Sequence, residues 1–395
     1  MPILDGIRVI DLTQGQLGPE ACMILADLGA DVIKIEPRQG EYTRAVTRDY
    51  DTDGINAYFL AHNRNKRGIA LDYTTERGRE IIYKLVETAD IFVTTYAPGA
   101  VERHGFGYDV LSKINPRLIY CRGSAFGPEG PMRDWHGNDI VTQGWSGLAY
   151  QTGDGRSPVG TAVIDECAAV NLALGAVSAL WAREKTGKGQ LVNVSLLQTS
   201  LFLMAMEYVT YMLSGKEPRQ SGRGHSMVKG LYSSFPTKDG SLILGGVANE
   251  PWPEMCQVLG LEQYLNDPRF SSADSRGEHL PELIPILDKA FARKTTDEWM
   301  PLLWKIGLRA APVLSISDAL VHPLLREQIK ANKYLVEMEA GGRQVTVPGP
   351  VIEFSDTPAE IKRPGFAAGE HTHEILLELG YTWEDIGRMI SEEAI

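Results

Sequence analysis

The chain has 395 residues, which at about 150 residues per domain is two or three domains. Its 43% hydrophobic and 23% charged content is that of a soluble globular protein with a sizeable core, which excludes a small disulfide scaffold and argues against wholesale disorder. With 39 basic and 51 acidic residues the net charge is -12, so no overall attraction to nucleic acid or an anionic membrane is expected, while a local basic pocket for a phosphorylated small molecule stays open.

The N-terminal MPILDGIRVIDL carries charge every few residues and has no apolar core of a signal peptide. Strand-like runs follow at 6–13, 31–37, 68–73, 91–96 and 117–124. Helical patterns separate them at 19–29, 74–89 and 107–115; in the second, Ile81, Ile82, Leu85 and Val86 share one face. Short connections between alternating strands and helices predict a parallel sheet flanked by helices, with ligands at the carboxyl ends of the strands. From about 165 to 213 the pattern is helical and strongly apolar, interrupted by TGKGQLVNVSLL (186–197), a Gly-rich turn and a short strand. Its most apolar stretch, Ala168 to Ala182, is read as a buried helix too short to span a bilayer. A Gly, Ser and Arg-rich linker covers 214–226, and 231–247 reads as a hairpin turning at KDG. Helices are expected from Pro251 to Leu308, a strand-like run at 344–354 and a final helical region at 371–390. Cys22, Cys121, Cys167 and Cys256 are isolated, with no CxxC pair, so reduced thiols and a cytoplasmic location are expected.

Several segments carry candidate chemistry. DLTQGQLGPEAC (11–22) places Gly15 and Gly18 in a turn ahead of a helix, where free backbone N–H groups suit an anion or a carbonyl. It is not GxGxxG, so a nicotinamide site is weakly supported. NRNKRG (63–68) is the densest basic cluster, readable as a phosphate contact through Lys66 or as a solvated loop. Arg103, after the strand at 91–96, is either a ligand contact or a surface ion pair. There is no Walker A motif and no GxSxG elbow, and His371 with His373 lacks a partner set for a metal. Asp165 precedes the most apolar helix. It either caps that helix or serves as a carboxylate nucleophile.

Together these stretches resemble the class III coenzyme A transferases, the family that includes formyl-CoA:oxalate and carnitine CoA transferases and α-methylacyl-CoA racemase. The matching segments are LDGIRVIDLT, LADLGADVIKIEP, NRNKRGIALD, APGAVERHGFGYDVL, INPRLIYCRGSAFGPEGP, VTQGWSGL, AREKTGKGQLVNVSLL and GEHTHEILLELGY, in order along nearly the whole chain. The resemblance implies an α/β fold: a Rossmann-like large domain from both chain ends (1–213 and 325–395), a smaller α+β domain (225–315), linkers at 214–224 and 316–324, and an interlocked homodimer. It implies that Asp165 is the catalytic aspartate. Gln16 and Leu17 would line the thioester and pantetheine, and Lys66 and Arg103 would contact the nucleotide and phosphates of CoA. Thr95 and Tyr96 would flank the adenine or pantetheine, with Arg38 near the adenosine pocket. Asp139 stands where formyl-type enzymes carry a glutamate and His136 where they carry a lysine, and both are counted with the CoA-contacting positions that the resemblance implies. The implied partners are an acyl-CoA and a carboxylic acid, with CoA as substrate and no permanently bound cofactor. Racemases of the family use a His–Asp pair at a GHD-like motif. Here the segment is HGND (136–139), and Asn138 cannot act as a base, so transfer is preferred to racemisation. A noncatalytic acyl-CoA-binding protein would keep the basic pocket without Asp165.

Overall fold

Apolar strands alternating with amphipathic helices build one parallel sheet from the first half of the chain. The computed structural model describes residues 1–46, 55–228 and 231–395. In chain order the sheet and its helices are β1 (Arg8–Leu12), α1 (Leu17–Asp27), β2 (Asp31–Glu36), α2 (Ala57–Asn63), β3 (Arg67–Ala70), α3 (Glu76–Glu87), β4 (Ile91–Thr94), α4 (Ala100–Arg103), α5 (Tyr108–Ile114), β5 (Ile119–Ser124), α6 (Asp139–Ser146), α7 (Leu148–Gln151), α8 (Val163–Thr186), β6 (Leu191–Ser195) and α9 (Leu196–Leu203). The strands lie in the order β3-β2-β1-β4-β5-β6, all parallel. Strand order reverses between β1 and β4. The crevice outside their carboxyl ends is therefore where a ligand is expected, and residues 13–18 and 95–99 emerge there.

On one side of the sheet Ile10, Ile33, Ile69 and Phe92 meet the buried stripe of α3 (Ile81, Ile82, Leu85, Val86). The chain's last helices, α17 (Thr372–Glu378) and α18 (Trp383–Ser391), return to the same core through Ile375, Leu376, Ile386 and Met389. Asp72 N–H donates to the Ala394 carbonyl, fastening the chain end to the sheet. On α1 and α8, small buried residues such as Ala21, Ala26, Ala169, Ala173 and Ala176 let the two helices pack side by side. α8 has 24 residues, longer than the stretch read from sequence, and by length and apolarity alone it is long enough to cross a membrane. In the fold it lies along β5, β6, α1 and α9. Its Val170, Leu174 and Trp181 remain exposed.

The chain divides into two units, 1–146 with 160–203 and 329–395, and 147–159 with 204–328. Segments 147–159 and 204–213 thus join the second unit, whereas the sequence reading placed them in the large domain. The elements after α9 are α10 (Ala205–Ser214), β7 (Tyr232–Pro236), β8 (Ser241–Gly245), α11 (Pro251–Leu259), α12 (Ala273–Glu278), α13 (Leu280–Phe291), α14 (Thr296–Lys305), β9 (Ala310–Pro312), α15 (Ile316–Val321) and α16 (Pro323–Asn332). The hairpin expected at 231–247 is β7–β8, extended by β9 into an antiparallel sheet. Its core is Phe235, Leu242, Leu244, Phe291 and Trp299, with the Trp299 indole N–H donating to the Phe291 carbonyl at 2.7 Å. The strand-like run at 344–354 forms only up to Pro348: β10 (Leu335–Ala340) pairs with β11 (Arg343–Pro348).

Candidate active site

The turn between β1 and α1 is shaped by two glycines. Gly15 has φ +83°, where other residues are strained. A Cβ on Gly18 would come within 2.6 Å of Thr13 Cβ and Thr95 Cγ2, so only glycine lets the start of α1 approach the end of β4 this closely. The turn is tied to β4 from both directions. Thr95 Oγ1 donates to the Gln14 carbonyl at 3.3 Å, and Gln14 Nε2 donates to the Tyr96 hydroxyl at 2.6 Å. The Tyr96 and Tyr73 hydroxyls lie 3.1 Å apart. Thr95 and Tyr96 therefore hold the turn in shape. Leu17 is buried at its helical end, and Gln16 is the N-cap residue of α1. In the first turn of α1 the Glu20 N–H donates to the Gln16 carbonyl at 2.9 Å and Pro19 has no N–H, which leaves the Leu17 and Gly18 N–H groups without an acceptor inside the helix.

Asp165 sits in the first turn of α8. Ala162, at the N-cap position, has no side chain able to accept an N–H, and the helix is capped from elsewhere in the chain. Asp139, the first residue of α6, accepts the Ile164 N–H at 2.7 Å and the Asp165 N–H at 3.2 Å through one oxygen. Its other oxygen accepts from Gln143 Nε2 at 2.5 Å. Asp139 is thus the cap and Asp165 is not. Both oxygens of Asp139 take part in this capping role. Burial first, then the carboxylates of Asp139 and Glu166, push Asp165 up to about 7. A carboxylate with that basicity is ionised in part at neutral pH and is a better nucleophile than an ordinary aspartate.

Asp139→Asn should separate capping from charge. Asn accepts backbone N–H bonds as well as Asp, so stability should hold. Loss of the neighbouring charge should lower the Asp165 pKa and move the acid limb of the pH–activity profile to lower pH. An unmoved limb would show that Asp139 does not act on Asp165.

Residues that the sequence reading did not single out crowd the same helix end. Glu166 accepts from Gln16 Nε2 at 2.7 Å, and the Tyr58 hydroxyl lies 3.5 Å from Gln16 Oε1. Burial, the facing Glu166 and the charge of Asp165 push Glu20 up to about 9. The His62 Nδ1 lies 2.7 Å from the Tyr58 carbonyl, which can only accept, so Nδ1 carries the proton. Burial lowers the His62 pKa and keeps the ring neutral. The polar atoms of Glu20, His62 and Glu166 lie within 4.8 Å of one another. Glu166 Oε1 accepts from Gln16 and His62 Nδ1 donates to the Tyr58 carbonyl, which ties the group to α1 and α2. The adjacency of Glu166 to Asp165 was visible in the sequence. Glu20 and Tyr58 were not, because they join the site only when α1 and α2 pack beside α8.

The basic residues are placed differently from what the sequence suggested. Lys66 is fully buried, and its ammonium donates to Asp11 Oδ2 (2.8 Å), the Pro19 carbonyl (2.7 Å) and Asn63 Oδ1 (2.7 Å). All three of its donors are used, so it has none for a phosphate. Arg64 pairs with Asp27 at 2.7 Å, and Arg67 with Asp31, Glu374 and Glu378. The cluster is neither a phosphate clamp nor a solvated loop; it is a set of buried and half-buried ion pairs. Arg38 forms a surface pair with Glu393 at 3.3 Å. His136 is exposed in the segment ahead of α6. Arg103, at the end of α4, is exposed and makes no ion pair or side-chain hydrogen bond among the described residues. Asn138 Oδ1 accepts the Val141 N–H at 3.3 Å, a helix-capping role that leaves it no part in proton transfer.

Comparison with known proteins gives the family. Residues 4–372 match the family model described as CoA-transferase family III. The chain is 34% identical to succinyl-CoA:glutarate CoA-transferase of Mus musculus over 96% of this chain and 87% of the mouse protein. It is 32% identical to formyl-CoA:oxalate CoA-transferase of Escherichia coli over 99% of each chain. A CAIB/BAIF family protein from Brucella suis superposes with a TM-score of 0.86 at 31% identity, covering 95% of this chain and 99% of that one. A parallel α/β sheet matched along almost the whole chain in this way makes the chain a member of the family III CoA-transferases.

Proposed function

We propose that this enzyme moves CoA between carboxylic acids through covalent intermediates on Asp165. The observation that carries the reading is the state of Asp165: released from capping by Asp139, half-buried at a helix entrance, and pushed up to about 7. A thioester carbonyl is electrophilic and its thiolate leaves readily. Asp165 Oδ attacks that carbon, the C–S bond breaks, and a mixed anhydride and CoA thiolate result. The thiolate then attacks the aspartyl carbonyl, expelling the donor acid as its carboxylate and leaving an aspartyl-CoA thioester. The acceptor carboxylate attacks this thioester, giving a second anhydride and thiolate again. Attack of that thiolate on the acceptor acyl carbon yields the new acyl-CoA and restores Asp165. Each tetrahedral oxyanion needs donors; the Leu17 and Gly18 N–H groups and the Gln16 amide hydrogen not given to Glu166 are the candidates for that role.

The mouse relative is named for succinyl-CoA and glutarate and the Escherichia coli relative for formyl-CoA and oxalate, and a small dicarboxylic acid is proposed as the acceptor here. Arg103 remains the candidate for a CoA phosphate. A homodimer is proposed from the apolar side chains left exposed, Val170, Leu174 and Trp181 on α8 and Val209, Met212 and Leu213 on α10. The racemase reading is not favoured, because Asn138 is a helix cap without a titratable proton.

The decisive experiment is chemical trapping. Enzyme incubated with an acyl-CoA and then hydroxylamine should carry a hydroxamate on the peptide containing Asp165. Active transfer without any such adduct would overturn the covalent scheme, and exchange of the α-hydrogen with deuterated water in its place would establish the racemase.

A further inference from the structure

Glu20 and Glu166 stand on two different helix N-termini, in the first turns of α1 and α8. Each position favours one negative charge. Two carboxylates facing each other repel, and here their oxygens, with a His62 ring nitrogen, lie within 4.8 Å of one another. Glu20 Oε2 is sealed from solvent and has no hydrogen-bond partner among the described residues. Of the surrounding groups the Gln16 amide relieves the Glu20 carboxyl in part, and the others do not. From α2, His62 spends its Nδ1 proton on the Tyr58 carbonyl, and the Tyr58 hydroxyl lies by Gln16 Oε1. From the loop after α2, the Lys66 ammonium is fully used by Asp11, the Pro19 carbonyl and Asn63. From α8, Asp165 adds a further negative charge.

We propose that Glu20 and Glu166 share one proton and act as a positioning pair that holds the Gln16 amide at the entrance of α8, next to Asp165. The inference rests on the reading of Asp165 as the nucleophile. A proton on Glu20 gives the buried carboxyl a donor to Glu166, so the two oxygens attract instead of repelling. Glu166 keeps its single charge and accepts Gln16 Nε2 at 2.7 Å. One negative charge rather than two then stands beside the reacting carboxylate. Burial and the facing Glu166 push Glu20 up to about 9, so the proton stays in place through neutral pH. Its loss at alkaline pH puts a second charge against Glu166, loosens the Gln16 anchor, and disfavours approach of an anionic acceptor to Asp165.

Two measurements on the full chain test this. In the infrared at about pH 8, where Asp165 is ionised, the wild-type minus Glu20→Gln difference spectrum should contain a protonated-carboxyl band, and Asp165→Asn should retain that band. In transfer assays the wild-type rate should fall by about tenfold per pH unit beyond the Glu20 pKa. Glu20→Gln keeps an N–H donor toward Glu166 at every pH, so the ratio of its rates at about pH 10 and pH 8 should approach one. Glu166→Gln removes the repulsion from the other side and should flatten the same limb, which keeps the test open if Glu20→Gln folds poorly. Absence of the difference band, or an alkaline limb unchanged in both variants, overturns the proposal. The infrared arm needs no turnover, so failure of the Asp165 mechanism is seen separately from failure of the proton-sharing pair.

Discussion

Asp165→Asn should fold, bind CoA with near-native affinity, and lose transfer by roughly 10³–10⁶-fold, the scale seen when a covalent nucleophile is removed. The amide is nearly isosteric and cannot form the anhydride. The same substitution should make the protein more stable at pH 8. The sign follows from the raised pKa. Between the ordinary value of 3.8 and about 7 the folded chain keeps a proton that the unfolded chain has lost, so stability declines as pH rises through that window. Above it the buried charge is a net cost, on the order of a few kcal/mol, which Asn removes. A helix cap would behave in the opposite way, with activity kept and stability unchanged. Asp139 already receives the Ile164 and Asp165 N–H groups, so exchanging Asp165 for Asn alters no capping bond. Thermal denaturation at pH 5 and pH 8, beside transfer rates, distinguishes the two. Residual activity that grows with storage marks deamidation back to Asp; near-native activity without it would sink the mechanism.

Lys66→Ala should destabilise the fold by about 3–5 kcal/mol, because removing one partner strands a buried charge. Asp11 would keep only the Thr13 hydroxyl and Lys34, at 4.0 Å, and the Pro19 carbonyl and Asn63 would lose their donor in a sealed site. Because Lys66 braces the start of α1 through Pro19, CoA binding should weaken only as far as that turn loosens. Arg103→Ala should show the reverse pattern. Its guanidinium is exposed, so the melting temperature should not move, while a lost phosphate contact should weaken CoA by about 10–100-fold, the equivalent of roughly 1.5–3 kcal/mol. Melting curves and calorimetric titration of CoA on both variants decide it. An unchanged melting temperature with lost CoA affinity for Lys66→Ala would return that lysine to the phosphate site.

Much of the large unit could be read from local pattern. The apolar runs ending near Leu12, Glu36, Thr94 and Ser124 are strands, and the Ile81, Ile82, Leu85, Val86 stripe is the buried face of α3. Each depends on periodicity within a few residues. Helix α2 escaped notice because AYFLAHN is short and not cleanly periodic. Its N-cap is nevertheless the Asn56 side chain, which accepts the Phe59 N–H at 2.6 Å. With α2 went Tyr58 and His62, and so one wall of the site.

The parallel α/β sheet and the Gly-shaped turn at its switch point were legible in the sequence alone, and Asp165 stood out there as a candidate, because strand alternation, glycine placement and ordered motifs are properties of the chain read locally. The tertiary structure alone decided what each charge does. Whether Lys66 meets a phosphate or Asp11 turns on β1 and the loop after α2 being brought together across 55 residues. Whether Asp165 caps its helix or stands free turns on Asp139 arriving from 26 residues away. A charged side chain is assigned by whichever partner reaches it once water is excluded, and that partner is chosen by packing of distant segments, which no local pattern records.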